Sequence, residues 1–151
     1  MMLAGCGGLI RDCHGKWVCG FAKKLGYYTA LRAELWAILT GLELACCHKF
    51  QKVPVECDSS AVVELLNVVQ IEEETNSSLL SAISKMLKNF IQVKFVHVYR
   101  EGNFCADVLA NISLELEEVS VTFDDPLVVV HLHVYRDEVG YSYPQLVLLK
   151  S

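Results

Sequence analysis

The chain of 151 residues has no basic excess; its formal net charge is −5. Nucleic-acid-binding domains usually carry a positive balance, so charge alone does not point to such a partner, although it leaves room for acids that hold cations against phosphates. Paired cysteine ligands are also lacking. The seven cysteines form no Cys-x-x-Cys spacing, which argues against a structural zinc site. They read as reduced, mostly buried small hydrophobes of an intracellular protein, nuclear or cytoplasmic. No apolar run approaches the ~20 residues of a membrane span, so no membrane partner is expected. Residues 1–10 have neither the basic start nor the apolar core of a signal peptide. No repeat or low-complexity linker divides the chain, and its length suits one domain with one sizeable core.

What is there centres on residues 97–111, His-Val-Tyr-Arg-Glu-Gly-Asn-Phe-Cys-Ala-Asp-Val-Leu-Ala-Asn. They begin as the end of an apolar run, residues 93–98, that reads as a strand. The run breaks at a polar turn, Arg100-Glu101-Gly102-Asn103, and resumes as a helix with Asp107 in its first turn. Asn103 is a good N-cap, because its side-chain oxygen can accept from free N–H groups of that turn. Asp107 sits at the positive end of the helix dipole, which favours its charged form. Such an acid either compensates the dipole or holds a metal or polar substrate.

Earlier in the chain, residues 3–11 and 17–22 read as a hairpin around Asp12-Cys13-His14-Gly15-Lys16, where Gly15 can take positive φ. The glycines at 5, 7 and 8 do not make a phosphate loop, because the GxxxxGK[ST] pattern is missing. Residues 29–48 predict a helix with Leu31, Leu35, Ile38, Leu42 and Ala45 on one stripe. Glu34 falls about sixty degrees from Leu31, on the margin of that stripe; it is either a snorkelling surface residue or a carboxylate aimed at a sheet. Residues 53–58 predict a short strand with Val53, Val55 and Cys57 on one face and Glu56 and Asp58 on the other. Asp58 at the strand's carboxyl end either caps the following helix or belongs to a site, since sites in open α/β sheets gather there. A further helix is expected over residues 77–87 and strands over 119–123 and 127–135. His131 and His133 share a face of the last, where partly exposed strand residues are the simpler account. The order of elements predicts an α/β fold, a mixed sheet covered by helices.

Three acids therefore stand out, each at a junction: Glu34, Asp58 and Asp107. Hard divalent cations want oxygen ligands. A pair of such ions can activate water and stabilise the leaving oxygen in phosphodiester cleavage.

In order and spacing, four segments resemble the ribonuclease H family, in the plant, retrotransposon-derived form called reverse-transcriptase-like. They are Gly7-Gly8-Leu9-Ile10-Arg11-Asp12; Ala33-Glu34-Leu35 with Ala37; Glu56-Cys57-Asp58-Ser59 with Val62-Val63; and residues 97–103 with Ala106-Asp107 and Leu109-Ala110. The resemblance runs from Ala4 to about Leu116. It implies a ribonuclease H-like domain over 4–116, with 117–151 as a C-terminal extension of unclear role. It also implies an endoribonuclease acting on RNA–DNA hybrids with two Mg²⁺ ions, Glu34, Asp58 and Asp107 as the second to fourth of the family's four metal-binding carboxylates, and Asn103 and Ser59 as substrate contacts.

The family's first carboxylate lies in an Asp-Gly-Ala/Ser motif on a first strand that precedes the hairpin, and the chain begins where that motif would end. The resemblance thus implies an N-terminally truncated form without the family's central strand, with impaired catalysis. Asp12 is no substitute, because it matches the turn after the family's second strand. His97 is expected to pack, and residues 127–135 are expected to pair into the sheet and partly replace the missing strand. The alternative function is a catalytically inactive remnant that binds nucleic acid; a structural α/β domain with coincidental acids is the third.

Overall fold

The computed structural model describes residues 2–69, 78–98, 109, 112, 114, 119–124 and 145–150. Its first two strands, β1 (Met2–Arg11) and β2 (Trp17–Tyr28), form an antiparallel hairpin longer than the sequence predicts. The turn is built as expected. Asp12 Oδ1 accepts from the backbone N–H groups of His14 and Lys16, and Gly15 has φ 78°. The glycines at 5, 7 and 8 lie inside β1, so they belong to a strand rather than a loop. On β2, Gly20 is required. A Cβ there would lie 2.4 Å from the Trp17 ring and 3.3 Å from the carbonyl of Gly8.

Helix α1 (Ala30–Cys47) follows, with Thr29 as N-cap; the Thr29 hydroxyl accepts from the N–H of Arg32 at 3.3 Å. Leu35, Ile38, Leu42 and Ala45 are buried as the stripe predicts. Leu31 is not: it is 46% exposed, and the packed face begins one turn later, at Ala33, Glu34 and Leu35. A first-turn residue has neighbours on one side only, so periodicity there does not ensure burial. Strand β3 (Lys52–Cys57) and helix α2 (Ser60–Val69) come next, then helix α3 (Ser78–Leu87), strand β4 (Gln92–His97) and the short strand β5 (Ser120–Phe123).

The last strand is β6 (Gln145–Lys150), and the sheet order is β4-β3-β6-β1-β2-β5. β6 runs parallel to β3 and antiparallel to β1, so it fills the position between the hairpin and β3. Residues 127–135, expected in that role, lie outside the described residues, as do His131 and His133. The physical demand was read correctly: strands in a core do not leave N–H and C=O groups unpaired. The segment that meets it is the apolar run at 145–150. Both β5 and β6, beyond residue 116, belong to the same sheet.

The core lies between the sheet and the helices. Phe21, Ile10, Cys6 and Cys19 from the hairpin meet Ile38 and Leu42 of α1, Val53 and Val55 of β3, Leu66 of α2 and Ile83 of α3. β3 is buried at every residue except Lys52, and it has a strand on each side. Pro54, which has no N–H to donate, precedes the β6 ladder; that ladder begins at Val55. The six described cysteines are free thiols, and of them only Cys6, Cys19 and Cys57 are buried. Desolvation pushes the Cys6 thiol up to about 12, against the pull of Lys23. It pushes Cys19 up to about 11, with the negative charge of Asp124 adding to the effect. No helix among the described residues is long and apolar enough to cross a membrane.

Candidate metal centre

The centre forms at the carboxyl end of β3, under the second turn of α1. Glu34 is only 3% exposed. Its position on the margin of the apolar stripe turns it towards the sheet, so the carboxylate reading holds and the snorkelling one does not. Asp58 is the first residue past β3 and is half-buried. Ligand atoms of Glu34, Cys57 and Asp58 all lie within 4.8 Å of one another. The strict alternation expected for residues 53–58 put Cys57 and Asp58 on opposite faces. It fails at its last step, because Asp58 has already left the strand and its side chain is no longer bound by the pleat.

Neighbouring elements fix this corner. Cys57 pairs with His97 on β4 and with Leu148 on β6, and its carbonyl accepts from Val98 N–H at 2.9 Å. His97 was expected to pack, but it is exposed, and its ring Nε2 lies 3.2 Å from the Asp58 carbonyl oxygen. A carbonyl oxygen can only accept, so the ring donates from Nε2. Ser59 is the residue that caps α2: its hydroxyl accepts from Val62 N–H at 3.4 Å and its carbonyl from Val63 N–H at 3.1 Å. That work had been one reading of Asp58. Asp107 and Asn103 lie outside the described residues; Leu109, two positions after Asp107, is fully buried.

The donor set can be judged by its chemistry. Glu34 Oε1 and Asp58 Oδ1 are shielded from solvent. Two carboxylates this close and this dry repel each other, and a cation between them removes the repulsion. Oxygen donors of this kind fit a hard divalent ion. Cys57 adds a sulfur that sequence reading took as core packing only. Its adjacency to Asp58 was the available signal, and strand alternation hid it. Glu56, the acid of β3, does not join the centre; it is paired with Arg11.

Comparisons with known proteins agree with this architecture. The family described as reverse transcriptase-like matches residues 2–113. A candidate ribonuclease H protein of Arabidopsis thaliana is 35% identical over 97% of this chain; the chain spans 24% of that protein's length. Among solved structures, RNase H1 from the halophilic archaeon Halobacterium salinarum superposes with a TM-score of 0.64. It is 27% identical, over 74% of this chain and 85% of that one. The N-terminal RNase H domain of a Mycobacterium tuberculosis protein, solved as a fusion with maltose binding protein, gives a TM-score of 0.55 at 19% identity. The match covers 74% of this chain and 95% of that one, and it speaks for the fold.

Proposed function

Because the chain belongs to the reverse transcriptase-like family and has the ribonuclease H fold, we propose that it acts on RNA–DNA hybrids as a ribonuclease H-type endonuclease. The observation that carries this reading is the convergence of Glu34 and Asp58 at the carboxyl end of β3. In this reading Glu34, Asp58 and Asp107 hold divalent ions, two Mg²⁺. When bound, these ions supply the positive charge that activates a water and stabilises the leaving oxygen. The chain's own residues prepare the place. α1 carries Glu34 into the sheet's end, and β4 fixes Asp58 through the hydrogen bond from His97. The Arg32 guanidinium, two residues before Glu34, lies over the Tyr28 ring at 5.4 Å. It offers a positive charge near the first turn of α1 for a phosphate backbone.

One observation favours a second reading, a nucleic-acid-binding domain with little or no catalysis. The strand between β1 and β3 is Gln-Leu-Val-Leu-Leu-Lys, residues 145–150, and brings no carboxylate to the centre. A single experiment separates the two: a labelled RNA–DNA hybrid incubated with this chain and Mg²⁺, beside Asp58→Asn and an EDTA control. The nuclease reading expects cleavage in the first and none in the other two. A folded protein that retains the hybrid without cutting it establishes the second reading.

A further inference from the structure

We infer that Cys57 makes this centre a site for a thiophilic divalent cation, Zn²⁺ or Cd²⁺, bound by its sulfur together with carboxylate oxygens of Glu34 and Asp58. The inference rests on the reading of the two acids as metal ligands and names a class of ion that competes there. A hard ion needs only the oxygens, and nothing in phosphodiester hydrolysis asks for a thiol. Yet the Cys57 sulfur lies in the same cluster, within 4.8 Å of both carboxylates.

Thiolate ligands favour zinc over magnesium, whereas oxygen ligands alone suit magnesium. Zn–S bonds of about 2.3 Å and Zn–O bonds of about 2.0–2.2 Å allow two ligands of one ion to stand at most roughly 4.5 Å apart. Small side-chain rotations therefore close the set. The sulfur is also held in place: Cys57 is 2% exposed and is paired on both sides, to His97 and to Leu148. Two carboxylates beside it supply the negative potential that draws a cation in. Binding releases the thiol proton to the buffer. Three protein ligands leave one coordination position open, as zinc sites that admit an exogenous group do. A thiophilic ion seated there displaces the hard ion, so zinc acts as an inhibitor of the proposed hydrolysis.

The test is a titration of the full, reduced chain with Cd²⁺, followed by its ultraviolet thiolate-to-metal charge-transfer absorption, with Zn²⁺ as competitor. The wild-type chain is expected to show a band that saturates at one equivalent and is displaced by Zn²⁺. Cys57→Ser is expected to lose it. Asp58→Asn keeps the thiol and sits at the margin of the core, so it guards against a folding defect in the first variant. It is expected to bind at least about tenfold more weakly. A band of unchanged strength at the first equivalent in Cys57→Ser, or an affinity unchanged in Asp58→Asn, overturns the inference. Mg²⁺-dependent cleavage by the wild-type chain reports separately on the functional reading. Cleavage without the band overturns this inference alone; the band without cleavage supports it and removes the nuclease reading.

Discussion

Arg11 on β1 and Glu56 on β3 form a buried ion pair across a strand that separates them: Nη2 lies 3.2 Å from Oε2, while β6 runs between β1 and β3. Both side chains are largely withdrawn from water, at 3% and 12% exposure. Removing one partner takes a countercharge away from a buried group. Arg11→Met is therefore expected to cost about 3–5 kcal/mol in urea denaturation, and adding Glu56→Leu to recover most of it. A double variant as weak as the single one would show that the pair is not the relevant contact.

The centre itself responds to a change of charge. Glu34→Gln relieves carboxylate repulsion, so its melting temperature without metal is expected to equal or exceed that of the wild-type chain. The same change should remove the stabilisation that Mg²⁺ confers by binding only the folded state. Thermal melts with and without Mg²⁺ check this; an unchanged metal-induced shift in the variant would contradict the assignment of Glu34.

At Val147 the backbone carries the argument. It pairs with Glu56 on one side and Leu9 on the other. Val147→Pro removes a ladder donor from a strand with neighbours on both edges, at an expected cost of about 3 kcal/mol or more. Chemical denaturation measures this directly, and a cost under ~1 kcal/mol would mean that β6 adds little to the sheet.

Gly20 has no room for a methyl group beside Trp17. Gly20→Ala is expected to destabilise by roughly 1–3 kcal/mol through overpacking. It should also shift Trp17 emission, because the indole Nε1–H donates to the Phe123 carbonyl at 3.2 Å and moving the ring breaks that bond. Unchanged emission would place the strain elsewhere.

The buried thiols set an alkaline limit. In the folded chain Cys6 is raised from 9.0 to about 12 and Cys19 from 9.0 to about 11. A raised folded pKa means that the unfolded chain loses its protons first. Their contribution is thus fully present below pH 9 and lost as pH rises towards 12. Cys6→Ala should flatten the decline in stability measured across that window.

Much of the architecture was legible because local rules and burial agreed. The hairpin turn, the first helix, β3 and β4 follow from periodicity and turn chemistry, and the family motifs gave Glu34 and Asp58. Three things escaped for stated reasons. β6 pairs with strands far away in sequence, and nothing local marks residues 145–150 as a segment that stands between β1 and β3. Cys57 was hidden by an alternation that ends one residue before Asp58. The Arg11–Glu56 pair joins charges forty-five positions apart, a separation at which no helical or strand period speaks.

The placement of β6 also fixes an order of events. Among the described residues, the strand that pairs the sheet's two halves, β4-β3 and β1-β2-β5, is synthesised after all of them. A ribosome-bound chain can close its hairpin and its β3–β4 pair early, but β6 joins them only once residues 145–150 have emerged. Long-range closure of this kind is slow, and open apolar edges are where nascent chains aggregate.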